Sequence, residues 1–225
     1  MKIISMLPWA DWLALLCFFS LWVGYATFSR GRGLHERTLL ATTNQLRMQW
    51  MLQATARDPR MLDGIITQNL SHTPSFFSST TIIIIGGLFA VLGTTDKAAE
   101  LVREIPFAQQ TPLMVFEFKV LVLVGVFVYA FFRFTWAMRQ YTFVALLIGA
   151  MPPAQEFEAG LHDREGHARR AGMLVGTAAE TFNDGLRAYY FSFAAMAWFF
   201  SPLALVLATA LVVRILYGRE FRSEV

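Results

Sequence analysis

Thr73-Pro-Ser-Phe-Phe-Ser-Ser-Thr-Thr-Ile-Ile-Ile-Ile-Gly-Gly-Leu-Phe-Ala-Val-Leu-Gly93 decides the reading of this chain. Its first half is polar and small, and its second half is apolar. Four consecutive isoleucines before Gly86-Gly87 suit hydrocarbon. Ser75, Ser78, Ser79, Thr80 and Thr81 suit a helix packed closely on other helices. Thr73 and Pro74 have the residue types of an N-cap and a first helical position, so a membrane-crossing helix is expected over 74–93.

Three other apolar runs have the length that a bilayer core of about 30 Å requires. They cover 7–28, 113–132 and 189–211, and Pro202 is expected to kink the last. The first reads as an uncleaved signal-anchor. The 225 residues are 56% hydrophobic and only 16% charged, with mean hydropathy +0.47, which is too apolar for an ordinary soluble domain. The expected fold is therefore all-α: a multi-pass transmembrane helical bundle of about four spans, one membrane domain over 1–225. Long cytoplasmic helical connectors are expected over 30–72 and 133–186. The helical pattern that starts at 113 continues past Arg133 and Arg139 to Ala150.

Details at the span ends carry further expectations. Asp11 lies near the start of the first run and is expected to stay in the interface, and Glu117 and Lys119 are expected to reach it by snorkelling. Asp58-Pro59 has the form of a cap and first position for a short helix. Thr95 can cap another helix, ended by Pro106, and Thr111-Pro112 can open the third span. The lone Cys17 cannot form an intrachain disulfide and reads as a small core residue.

Loop arginines set the orientation. The first connector carries Arg30, Arg32, Arg37, Arg47, Arg57 and Arg60, and the second carries Arg133, Arg139, Arg164, Arg169 and Arg170. The 94–111 loop is acidic on balance. Both long connectors are then cytoplasmic and the N-terminus is outside. Four spans leave the C-terminus outside, against its Arg214, Arg219 and Arg222; a fifth, bent crossing in 133–150 would resolve the conflict. The net charge of +3 follows from these loops and does not point to nucleic acid.

No nucleotide loop, nucleophile elbow or zinc helix is present. Gly31-x-Gly33 follows no strand, and Gly86-Gly87 lies inside an apolar helix. The densest group of metal-ligand types is His162-Asp163-x-Glu165-x-His167, but its histidines are five apart, about 140° around a helix. His35 could complete a set only if the connectors meet. No metal, cofactor or catalytic residue is expected. The polar residues that share one membrane face in this topology form the candidate site: Asn69, His72, Arg133, Arg139, Gln140, Tyr141, Asn183, Asp184, Arg187 and Tyr190. They read either as a network fixing helix register or as a site for an anionic group or lipid headgroup. Asp184 and Arg187, three apart, are spaced to pair. Ala168, Gly172 and Gly176 recur every four residues as a ridge for close helix packing.

The same segments resemble the DUF599 family, an uncharacterised multi-pass membrane family of bacteria and plants. The resemblance rests on Asn69 through Thr80 with Ile85-Gly-Gly-Leu88, on Phe134-Thr-Trp-Ala-Met-Arg-Gln-Tyr141 with Gly149-Ala-Met-Pro152, and on Thr181-Phe-Asn-Asp-Gly-Leu-Arg-Ala-Tyr-Tyr-Phe191 with Trp198-Phe-Phe-Ser-Pro202. It implies a four-span inner-membrane protein and marks Asn69, Arg139, Gln140, Tyr141, Asn183, Gly185, Arg187 and Tyr190 as motif positions. It transfers no activity. Three readings follow in order: a non-enzymatic accessory or assembly component working through helix contacts, a small-solute or ion transporter working as a homo-oligomer, and an enzyme acting on a lipid. The expected partners are membrane lipids and either a second copy or another membrane protein.

Overall fold

The computed structural model describes residues 7–29, 39–104 and 112–221, and every regular element among them is helical. The helices are α1 (Trp9–Ser29), α2 (Leu39–Ala54), α3 (Met61–Gly93), α4 (Thr95–Glu104), α5 (Leu113–Gly149), α6 (Ala154–Glu158), α7 (Arg164–Met196) and α8 (Pro202–Phe221). Four of them, α1, α3, α5 and α8, are long and apolar enough to cross a membrane. The chain forms two compact units. Of the described residues, the first takes 7–29, 80–104, 112–130 and 186–221, and the second takes 39–79 and 131–185.

The helix boundaries correct several expectations. α3 does not start at Thr73 but at Met61, and it runs through Pro74. Proline lacks the N–H that would bond the Leu70 carbonyl, a loss of about 3 kcal/mol in a helix interior. Packing on both sides of it offsets this: Leu70 lies against a buried core and Phe77 packs on Phe134. Asp58-Pro59 is a cis peptide ahead of α3, whose first bond runs from Gly64 N–H to the Arg60 carbonyl. The 189–211 stretch is not one helix. α7 ends at Met196, a 3₁₀ turn covers Ala197–Phe199, and Pro202 opens α8 with the Ser201 hydroxyl accepting from Ala204 N–H. This is the cap-and-proline start that sequence reading placed elsewhere. The Thr95 hydroxyl donates back to the Leu92 carbonyl instead of capping α4. The expected features at Pro106, Thr111 and His35 lie outside the described residues.

In the first unit the chain makes five passes of alternating direction between two ends, so that α1 and α8 run parallel. One end holds the C-termini of α1 and α8 with the Arg187–Tyr190 turn of α7, where Thr81 Oγ1 and Tyr189 Oη lie 2.7 Å apart. The other holds the start of α1, the 3₁₀ turn, and the starts of α4 and α5, with Phe199 packed on Phe116 and Val120 beside Leu92 and Ala98. The buried stripe of α1 is Asp11, Leu15, Phe18, Tyr25 and Ser29, and that of α8 is Leu205, Thr209, Val212 and Leu216; the two helices pack together. Aromatic rings fill the interior, where Trp22 stacks on Phe191 at 5.3 Å and Phe18 meets Phe191 edge-on at 5.8 Å.

The second unit closes around small residues. Ala168, Ala171, Val175 and Ala178 of α7 meet Tyr141, Val144 and Ile148 of α5 and Met51 of α2. Ala54, Met151 and Phe157 form a smaller cluster. Phe77, Phe134 and Phe182 make an aromatic trio.

Candidate functional site

The ten candidate residues sort by burial and partner. Arg187 and Tyr190 belong to the first unit and the other eight to the second. Gln140, Tyr141, Asp184 and Arg187 are buried; Arg133, Asn183 and Tyr190 are half-buried; Asn69, His72 and Arg139 are exposed. Asp184 accepts from the Arg133 guanidinium, which joins α7 to α5. Arg187 pairs with Glu220 of α8 at 2.9 Å, and Tyr25 of α1 donates to the same carboxylate at 2.7 Å. Arg219 donates to the Tyr190 hydroxyl. Arg139 lies over the Phe143 ring at 5.7 Å on an open face of α5 that also carries Phe132 and Trp136. Gln140 Oε1 and Arg133 Nε are buried and have no hydrogen-bond partner among the described residues.

The small-residue ridge is covered by the chain itself. A Cβ at Gly172 would fall 3.1 Å from Met48 Cα, and one at Gly176 would fall 2.9 Å from Asn44 Oδ1. Both neighbours belong to α2. Beside them Arg47 donates to Thr43 and to Asn44 Oδ1 at 2.7 Å. Burial pulls its guanidinium below the ordinary range, with Tyr141 opposing that shift. Asp63, wholly buried, accepts from Trp50 at 2.8 Å and from Arg57 at 2.5 Å. Arg60 donates to the backbone carbonyls of Ala54, Met151 and Pro152.

The histidines are separated in role. His162 pairs with Glu156 at 3.0 Å, and His167 packs against Phe157. Burial holds His167 below its ordinary value, followed by the charges of Arg170, Arg60 and His162. Among the described residues no three His, Cys, Asp or Glu side chains come together as metal ligands.

One site escaped the sequence reading. Asp11 and Lys119 are 1% and 2% exposed, so neither sits in the interface. Trp198 accounts for both. Its indole N–H donates to Asp11 Oδ1 at 2.6 Å, its carbonyl accepts from Lys119 Nζ at 2.9 Å, and the ammonium lies 5.2 Å from its ring centre. The arrangement ties α1, α5 and the 3₁₀ turn together with opposite charges on either side of one residue. The only sequence signal was a carboxylate and an ammonium in separate apolar runs.

A family model described as protein of unknown function, DUF599, matches residues 13–225, nearly the whole chain. The chain belongs to the DUF599 family. Both the Asp184–Arg133 and the Arg187–Glu220 pairs fall within the part matched to DUF599. No curated protein and no solved structure matches the chain.

Proposed function

We propose that this DUF599 protein is a multi-pass protein of the bacterial inner membrane that crosses it five times, and that it serves as a non-enzymatic accessory or assembly component. The five passes of the first unit support the topology. α7 supplies the pass that hydropathy alone misses, because Arg187 and Tyr190 interrupt its apolar character. The end that carries Arg187 also carries Arg219 of α8, with Arg214 about two turns back, and in sequence the arginine-rich segment 30–60 follows α1. The 94–112 segment holds Lys97 and Arg103 against Asp96, Glu100 and Glu104, and the 197–201 turn holds no charge. Arginine asymmetry thus favours a cytoplasmic arginine end and a cytoplasmic C-terminus. Five passes remove the conflict that four create, and this reading draws the extra pass from the part of α7 that leads into the 3₁₀ turn, where the four-span arrangement has none.

The observation that carries the accessory reading is the use of two candidate arginines and of two arginines of the first connector. Arg133, Arg187, Arg57 and Arg60 are bonded to acids or carbonyls of this same chain and join its helices. Such groups fix register; they do not line an open path. A second reading, a homo-oligomeric transporter or channel, draws on α3. Only 11% of its apolar window is buried, against 50% for α5, which leaves Ile82, Ile83 and Phe89 exposed to lipid or to another copy.

Native mass spectrometry of tagged protein, gently extracted from its own membranes, tests the role. A heteromeric assembly supports the accessory reading, and a homo-oligomer alone replaces it with the second. Topology is tested in intact cells after Cys17→Ala. Thiol reagents that cannot cross the membrane should label Phe200→Cys and spare a cysteine added after Val225. Labelling of the added cysteine would restore the four-span arrangement.

A further inference from the structure

A groove of about 460 Å³ runs between α1 and α8 in the first unit, lined by Gly24, Phe28, Ala210, Val213, Arg214 and Tyr217 among others. That volume falls in the range of roughly 300–1,000 Å³ usual for small-molecule sites. The lining is mostly apolar, with the Ser20, Tyr25 and Tyr217 hydroxyls and a single charge, Arg214. Arg214 is exposed and has no hydrogen-bond or ion-pair partner among the described residues. It sits about two turns, roughly 10 Å, inside the end of α8.

A guanidinium at that depth on an apolar surface is costly unless an anion or water reaches it. The acids of this end do not serve it. Glu220 is held by Arg187 and Tyr25, and Tyr25 itself lines the groove. Arg219, one turn further on, adds positive charge and is bonded to Tyr190. Arg187, Arg214 and Arg219 against Glu220 leave this end positive. Gly24 opens the groove further: a Cβ there would meet nothing within 4 Å.

We propose that this groove binds an anionic glycerophospholipid, with its phosphate on Arg214 and one acyl chain along Gly24, Phe28 and Ala210. The site rests on the membrane reading above and goes beyond it by naming a ligand class and its contacts. The lipid phosphate supplies acceptor oxygens that the protein does not, and a basic groove between crossing helices at the cytoplasmic leaflet suits an acidic headgroup. The apolar walls exclude water from the chain below it.

The test is a lipid titration of the full-length protein in detergent, read by native mass spectrometry. Phosphatidylglycerol is compared with phosphatidylcholine, which carries the same phosphate without net negative charge. The wild type should bind phosphatidylglycerol more tightly. Arg214→Ala should weaken that binding about tenfold and remove the preference, as expected for loss of a charge-assisted contact. Gly24→Leu keeps Arg214 and enters open space, so it should fold normally yet block both lipids. Arg169→Ala, an exposed arginine of the second unit, removes the same charge and should leave the preference intact. Equal affinity for the two lipids in the wild type, or wild-type binding by either Arg214→Ala or Gly24→Leu, overturns the proposal. The titration needs no orientation, so reversed labelling in the topology experiment would remove the cytoplasmic placement while leaving this site standing.

Discussion

The first unit seals Asp11 and Lys119 among large apolar side chains, and the second adds to its Arg133–Asp184 and Arg57–Asp63 pairs a close approach of helix backbones. At the Trp198 end of the first unit, Asp11 and Lys119 are both buried, and one indole and its carbonyl satisfy them. In the second unit, Gly172 and Gly176 let α2 approach α7 to near contact, and Arg60 bonds backbone carbonyls. The difference suits the proposed placement, with the first unit in hydrocarbon and the second in water. In hydrocarbon there is no water to oppose, so opposite charges and close fit are what orient helices. Where water is present, burial of alanine, valine and aromatic surface supplies the driving force, and small residues set the distance.

The largest effect should come from breaking the sealed charges. Asp11→Ala removes the carboxylate that accepts the Trp198 indole N–H and offsets the Lys119 charge across that residue, and a buried charge left without its counter-charge costs about 3–5 kcal/mol. Lys119→Met alone should cost a comparable amount. The double substitution Asp11→Leu, Lys119→Met replaces both charges with apolar volume and should recover most of the loss. Unfolding in mild detergent, followed by Trp fluorescence, reads all three. Independent, additive losses in the double variant would show that the two charges do not act as a pair.

The next effect sharpens the contrast between the units. Leucine at Gly172 would push its Cβ to 3.1 Å from Met48 Cα, so α2 must move; overpacking of this sort costs about 1–3 kcal/mol. Leucine at Gly24 of α1 meets open space and replaces a poor helix former, so it should be neutral or stabilising by up to about 1 kcal/mol. Chemical denaturation of the two variants, compared with the wild type, should give opposite signs. A Gly172→Leu protein as stable as wild type would mean that α2 is not held by close approach to α7.

Periodicity and composition carried the helical class and the long α5, because a continuous apolar pattern from Leu113 to Gly149 has no internal stop. The ridge at Ala168, Gly172 and Gly176 was also legible, since small residues at that spacing have few other uses; which helix covers it was not, because α2 lies more than a hundred residues away in sequence. Asp11 was misread for the same reason. Its partner Trp198 is 187 residues distant, and proximity to a helix end says nothing about what folds over it. Pro74 misled through a rule that is sound for isolated helices: α3 gains enough packing on both sides to carry a proline inside. Ser201-Pro202 obeys that rule, but a kink in an apolar run and a break between two passes look alike in sequence. Within the candidate set, polarity could not separate the buried Asp184 and Arg187 from the exposed Asn69, His72 and Arg139.

The smallest effect concerns protonation in the second unit. His167 is held below its ordinary value first by burial and then by Arg170, Arg60 and His162. The folded protein therefore resists a proton that the unfolded chain accepts near pH 6.5. As pH falls through that ordinary value, the unfolded state binds more protons than the folded one, so stability declines and goes on declining until the lowered folded value is reached. The contribution is absent well above pH 6.5, where both states are neutral. His167→Gln should flatten the stability curve on its acid side, and Arg170→Ala should move the His167 titration back toward its ordinary value, because one opposing charge is gone. Imidazole NMR of the wild type and Arg170→Ala checks the second outcome directly. A His167 midpoint unchanged by Arg170→Ala would remove Arg170 from the account and leave burial, Arg60 and His162 as the causes.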